Sequence, residues 1–224
     1  MTLRAVLWDL DGTLIDSEPH WFAAEQTLAA EYGAVWTAEQ ALAQVGKPIR
    51  QTLANLVAAG IPLSIAEAER ELMERMRRQI AAHGVEFRPG VTELWNALAE
   101  QGMRQALVTM SYGPYMDAVI PWLPAFDHLQ LGNSVQRGKP APDIYLAAMD
   151  SLGVTPEQSL GIEDSVVGAG ALLAAGLTPV GVPNLLELPD DPRLIVLDSL
   201  TGVQPSDLER LHTYWQSRTR NGVR

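Results

Sequence analysis

The chain has 224 residues, of which 47% are hydrophobic and 19% charged, so it can bury a core as one domain with an insert or as two modest domains. Its formal net charge of -11 at pH 7 disfavours nucleic acids and anionic membrane surfaces as partners. The absence of cysteine excludes disulfides, thiolate catalysis and cysteine-bound metal clusters. The N-terminal apolar run is too short for a secretory signal, so we expect a cytoplasmic protein, and nothing in the sequence demands more than a monomer.

Short apolar runs alternate with helical patterns along most of the chain. The predicted strands are residues 4–8, Gln105–Val108, Ser159–Ile162, Thr178–Val182 and Leu194–Leu197. The predicted helices between them are Val91–Glu100, Asp143–Ser151 and Val166–Ala175. Strands that alternate with helices favour an α/β fold with a Rossmann-like parallel sheet and helices on both faces.

The interval that follows the first strand is different, because it contains helix signals and no convincing strand. Two pairs in it, Thr37 with Gln40 and Ser64 with Glu67, fit the capping box that begins many helices. This interval therefore predicts a helical domain inserted into the α/β core. The predicted domains are residues 1–16 with 89–224 for the core and residues 17–88 for the helical insert.

Polar side chains follow three of the predicted strands at the point where each strand ends. They are Asp9 and Asp11 after the first strand, Thr109 and Ser111 after the second, and Glu163 and Asp164 after the third. Because ligands of open parallel sheets bind beyond the carboxyl ends of the strands, these side chains should converge on one site. Lys139, which lies just before a predicted helix, can join them.

This set of residue types suits a phosphate monoester in a magnesium site. Carboxylates from separate strands are ligands that Mg²⁺ prefers, and a carboxylate can also attack phosphorus directly. A lysine and hydroxyl groups would neutralise the phosphoryl oxygens. Taken singly, each residue has a plainer explanation: an Asp-Gly turn, a solvated lysine, a strand-end hydroxyl, or acids at a helix N-terminus. Their combination favours phosphoryl transfer.

Four stretches, in order along nearly the whole chain, resemble the motifs of the haloacid dehalogenase superfamily in its phosphatase and β-phosphoglucomutase-like branch. They are DLDGT, LVTMS, GKPAPDIY and GIEDSVVGAGALLAAG. The resemblance implies Asp9 as the nucleophile, Asp11 as the acid and base, Thr109 and Lys139 as phosphoryl ligands, and Gly12 and Ser111 at the substrate. It also implies an Mg²⁺ ion held by Asp9, the backbone carbonyl of Asp11, Asp164 and, through water, Glu163.

The resemblance further implies that residues 17–88 form a mobile cap that closes over the site. Four cap residues are candidates for substrate contact: Glu18, His20, Lys47 and Arg50. The β-phosphoglucomutases carry an arginine in the loop that corresponds to residues 45–53, and Ile49 occupies its place here. This difference puts mutase activity in doubt, although Arg50 is adjacent.

The sequence therefore predicts a Mg²⁺-dependent phosphatase that hydrolyses a small phosphorylated metabolite, a sugar or polyol phosphate, through an aspartyl-phosphate intermediate. Two alternatives stay open. One is a phosphomutase similar to β-phosphoglucomutase, and the other is a catalytically silent protein that binds a phosphorylated metabolite.

Overall fold

The computed structural model describes residues 2–47 and 49–220, and within them the chain forms one six-stranded parallel sheet. Its strands are β1 (Ala5–Trp8), β2 (Arg104–Val108), β3 (His128–Gln130), β4 (Ser159–Glu163), β5 (Thr178–Gly181) and β6 (Ile195–Val196). Their order across the sheet is β3-β2-β1-β4-β5-β6, and every neighbouring pair is parallel. The predicted α/β class is confirmed.

The described residues also form nine α-helices. They are α1 (Glu18–Glu31), α2 (Ala38–Leu42), α3 (Ile49–Ala58), α4 (Ile65–His83), α5 (Val91–Glu100), α6 (Pro114–Val119), α7 (Asp143–Leu152), α8 (Val166–Ala175) and α9 (Pro205–Arg220). Helices α7 and α8 pack together over one face of the sheet, and α5 and α9 pack together over the other. None of the described helices has the length and apolar character needed to cross a membrane.

The sheet places its central strands so that their ends are level. Ala5 and Leu7 of β1 join the buried cluster beneath α7 and α8, while the Trp8 indole donates to the Gln105 side chain at 3.0 Å. Trp8 is paired with Leu107 of β2 and with Ile162 of β4. Asp9, which follows Trp8, therefore lies level with Val108 and Glu163, the last residues of β2 and β4.

The chain divides into two compact units. One contains Met1–Ile15, Phe87–Met110 and Pro124–Arg224, and the other, the helical unit, contains Asp16–Glu86 and Ser111–Leu123. Both predicted capping boxes are present in the helical unit, at the start of α2 and at the start of α4. The use of residues 17–88 as a mobile cap stays a prediction.

The segment between β2 and β3 is an unexpected part of the helical unit. Helix α6 packs against α4, and the fully buried Tyr115 ring meets Trp21 edge-on with centroids 5.3 Å apart. The short edge strand β3 that follows was also not predicted, because a three-residue strand with the sequence HLQ shows no hydrophobic period.

Glu25 of α1 is expected to make the stability of the helical unit depend on pH. Its side chain is buried and accepts a 2.9 Å hydrogen bond from the Trp36 indole. Burial raises the pKa of Glu25 to about 7, and the hydrogen bond only partly opposes this. Because the raised pKa favours the neutral acid, stability is greatest below the unfolded-state pKa and falls as the pH rises through the interval up to about 7.

We expect Glu25→Gln to remove this pH-dependent loss, because the amide stays neutral and can still accept from Trp36. The variant should be more stable than the wild type by about 2 to 3 kcal/mol at pH 8, and the difference should shrink towards pH 5. Denaturant unfolding at several pH values measures it. Glu39→Gln, at an exposed position of α2, is the control. An equal gain at pH 5 and pH 8 would contradict the account.

Candidate active site

Three buried carboxylates meet at the carboxyl edge of the sheet. Asp9 follows β1, Glu163 is the last residue of β4, and Asp164 comes next in the chain. Each offers an oxygen, and these oxygens all lie within 4.8 Å of one another. Among the described residues, no other group of three or more acidic or histidine side chains is arranged closely enough to hold a metal ion.

The turn after β1 is shaped by a glycine that fits against one of these carboxylates. Gly12 has a φ of 83°, in the left-handed region, and a Cβ atom there would lie 2.1 Å from Oδ2 of Asp164. The Thr13 hydroxyl donates to Oδ1 of the same carboxylate at 3.4 Å. Asp11, which is partly buried, forms a backbone bridge with Ile15 in this turn. The turn and Asp164 are therefore fitted to each other.

Lys139 enters the cluster from the segment that precedes α7. Its Nζ lies 2.6 Å from Oδ1 of Asp9 and 2.7 Å from Oε1 of Glu163, and it donates to the Val108 carbonyl at 2.9 Å. Only 5% of its side chain is exposed. The three donors of the ammonium group thus have three acceptors, two of them carboxylates.

Burial dominates the electrostatics of this cluster. Burial first, and then the negative charge of Glu163, raise the pKa of Asp9 to about 7, although Lys139 opposes the shift. Burial also disfavours the charged form of Lys139, but the carboxylates of Asp9 and Glu163 outweigh it and raise the lysine pKa. One lysine stands against three carboxylates, so the cluster is short of positive charge. Its donor set consists of carboxylate oxygens, which fits a hard divalent cation.

Two residues that sequence reasoning missed support Glu163. The fully buried Tyr145 hydroxyl of α7 donates to Oε1 of Glu163 at 2.5 Å, and Lys139 lies 5.1 Å from the centre of its ring. A Cβ atom at Gly168 of α8 would lie 1.9 Å from Oε2 of Glu163. Tyr145 is part of GKPAPDIY, where a signal existed, because a tyrosine on the buried face of a helix needs a hydrogen-bond partner.

The other predicted site residues lie in two places. Thr109 directly follows β2, is buried, and donates its backbone N–H to the Gln130 carbonyl at 3.0 Å. Five candidates belong to the helical unit: Glu18, His20, Lys47, Arg50 and Ser111. Their contact with a substrate stays a prediction.

Within the helical unit, these candidates have distinct surroundings. The His20 ring stacks on His83, with centroids 6.3 Å apart, and burial lowers the pKa of His20. Arg50 lies exposed in the first turn of α3, and its charge acts on Tyr112, whose hydroxyl donates to Glu69 at 2.6 Å. Lys47 is also exposed. The first turn of α3 and the loop before it thus carry two exposed cations.

Comparison with known proteins gives the same family as the motifs. Residues 3–176 match the haloacid dehalogenase-like hydrolase family. A phosphorylated carbohydrates phosphatase from Thermotoga maritima is 29% identical and covers 92% of this chain and 96% of its own length. Hexitol phosphatase A from Escherichia coli is 33% identical, with 84% of this chain and 89% of its own length covered.

A solved structure of similar fold supports the same family. The crystal structure of a CbbY variant from Rhodobacter sphaeroides, in complex with xylulose-(1,5)bisphosphate, superposes with a TM-score of 0.81 at 28% identity. The match covers 92% of this chain and 99% of that one. The family match, the phosphatase relatives and the buried acidic cluster lead to one conclusion. The chain belongs to the haloacid dehalogenase-like hydrolase family, in the branch that contains these phosphatases.

Proposed function

We propose that this phosphoric monoester hydrolase is a Mg²⁺-dependent phosphatase that acts on a small phosphorylated sugar or polyol through an aspartyl-phosphate at Asp9. The observation that carries the proposal is the buried cluster in which Asp9, Lys139, Glu163 and Asp164 meet at the carboxyl edge of the sheet. The names of the relatives, a phosphatase of phosphorylated carbohydrates and a hexitol phosphatase, support the substrate class.

Asp9 and Asp11, the two acids of the DLDGT motif, would carry the two chemical steps. In the first, a carboxylate oxygen of Asp9 forms a bond to phosphorus while the ester oxygen leaves and takes a proton from Asp11. In the second, Asp11 removes a proton from water as the water oxygen attacks phosphorus. The bond between phosphorus and Asp9 then breaks, and inorganic phosphate leaves with the original carboxylate restored.

Lys139 prepares Asp9 for this attack. The lysine ammonium, 2.6 Å from Asp9, favours the ionised carboxylate that the reaction requires. Thr109 would hold a phosphoryl oxygen with Lys139. Mg²⁺ would be held by Asp9, Asp164 and the Asp11 carbonyl, with Glu163 near, and it would supply the positive charge that the cluster lacks.

Substrate choice would lie in the helical unit. We propose that residues 17–88 act as a cap, and that Glu18, His20, Lys47 and Arg50 contact the part of the metabolite that is not phosphate. Ser111 and Gly12 would lie nearer the phosphoryl group. We also propose that the protein is monomeric and cytoplasmic.

A phosphate-release screen over phosphorylated sugars, polyols and other metabolites tests the function. We expect stoichiometric phosphate from at least one sugar or polyol phosphate with Mg²⁺, and none with a chelator. Restored activity on adding Mg²⁺ after chelation completes the test. An isomerised sugar phosphate without phosphate release would instead show a mutase. Binding of a metabolite without turnover at any Mg²⁺ concentration would show a silent binding protein.

A further inference from the structure

Tyr145 is a buried residue of the cluster to which the proposed chemistry gives no role. We propose that Tyr145 is a positioning residue, which acts through its hydroxyl on Glu163 to keep Lys139 shared between Glu163 and Asp9. The kinetic part of this inference rests on the proposed function, whereas its structural part does not. The side chains involved, those of Asp9, Lys139, Tyr145 and Glu163, all belong to one compact unit.

The proposal is supported by one carboxylate oxygen of Glu163 that has two hydrogen-bond donors. Oε1 of Glu163 accepts from the Tyr145 hydroxyl at 2.5 Å and from the Lys139 ammonium at 2.7 Å. The other oxygen, Oε2, lies against the backbone of α8, where Gly168 leaves room for it. The Glu163 carboxylate is therefore held from both sides and is 1% exposed.

The tyrosine hydroxyl changes how strongly Glu163 attracts the lysine. A buried carboxylate needs hydrogen bonds to offset the loss of water, and each donor that it gains lessens its demand on the others. Without the hydroxyl, Lys139 is the one remaining donor to Oε1 among the contacts described above. We expect its ammonium to move towards Glu163 and to weaken its 2.6 Å contact with Asp9.

The ring of Tyr145 has a separate task, which a phenylalanine would keep. It packs in the cluster beneath α7 and α8, and its face lies 5.1 Å from the Lys139 ammonium. Tyr145→Phe therefore removes the hydroxyl and leaves the packing and the ring contact. This makes it a suitable probe of the hydroxyl alone.

We expect Tyr145→Phe to lower kcat about tenfold and to leave KM within about twofold, because the hydroxyl acts on Asp9 through Lys139. In a Glu163→Gln background the same change should have less than a twofold effect, since the group through which it acts is altered. A tenfold loss in both backgrounds, or no loss in the wild-type background, would overturn the inference. Tyr214→Phe, at an exposed position of α9, is the matched control.

Proton nuclear magnetic resonance supplies a readout that does not depend on turnover. The short, buried hydrogen bond should give a slowly exchanging hydroxyl proton far downfield, which is lost in Tyr145→Phe, lost or strongly shifted in Glu163→Gln, and kept in Tyr214→Phe. Its absence from the wild type would overturn the inference. If the wild type releases no phosphate from any compound, the proposed function fails, and this spectrum still decides the role of Tyr145 towards Glu163.

Discussion

Asp9→Asn is expected to lower kcat by about 10⁴-fold or more while the protein stays folded. The amide has nearly the volume of the carboxylate but cannot form the bond to phosphorus. Burial raises the pKa of Asp9 to about 7, so the ionised group is costly in the fold. Lys139 keeps Glu163 as its partner in the variant. We therefore expect an unfolding temperature at pH 8 no lower than that of the wild type.

Steady-state kinetics and thermal unfolding, measured on the same preparations, check this prediction. Asp190→Asn changes an exposed aspartate in the same way and should leave both kcat and the unfolding temperature unchanged. Near-normal turnover by folded Asp9→Asn protein would falsify the assignment of Asp9 as the nucleophile. Loss of activity together with loss of folding would show that Asp9 is needed for structure instead.

Gly168→Ala is expected to lower kcat by at least about a hundredfold, although alanine is the better helix former. A Cβ atom at this position would lie 1.9 Å from Oε2 and 2.0 Å from Cδ of Glu163. The carboxylate must therefore move, and it would carry Lys139 away from Asp9. A displacement of about 1 Å at a catalytic group is enough to cost about a hundredfold in rate.

Gly170→Ala in the same helix provides a matched control. There a Cβ atom would meet only the Pro140 side chain, at an ordinary contact distance of 3.4 Å. This variant should keep its activity and gain about 0.5 to 1 kcal/mol of stability, because alanine loses less conformational freedom in a helix. Equal activities of the two variants would show that the position of Glu163 does not matter for catalysis.

The fold was largely predictable because its signals are local. Short apolar runs that end in turns predict the central strands of the sheet. Because helices lie between these runs, the connections are parallel crossovers. Strands β1, β2, β4 and β5 lie close to the predicted positions. The edge strand β3 and the place of α6 in the helical unit depend on tertiary packing. Neither leaves a periodic pattern in so few residues.

The site could be predicted where the type of residue alone indicates its chemistry. Carboxylates at strand ends and one lysine before a helix identified Asp9, Glu163, Asp164 and Lys139, which the structure brings together. The supporting positions were not predicted. The sequence indicates a buried tyrosine at 145 that needs a hydrogen-bond partner, but only the structure identifies that partner as Glu163, 2.5 Å away. The close approach of the Glu163 carboxylate to Gly168 likewise depends on tertiary packing.

The covalent intermediate at Asp9 is the claim on which the other proposals most depend, and chemical trapping tests it directly. The enzyme would be quenched during turnover of an active sugar or polyol phosphate with Mg²⁺, and borohydride would then reduce any acyl phosphate. Peptide mass analysis of the wild type should find the side chain of residue 9 reduced to the alcohol after turnover. The same side chain should be unmodified when the substrate is left out. Rapid turnover with residue 9 unmodified, or with the reduction at another carboxylate, would contradict the account.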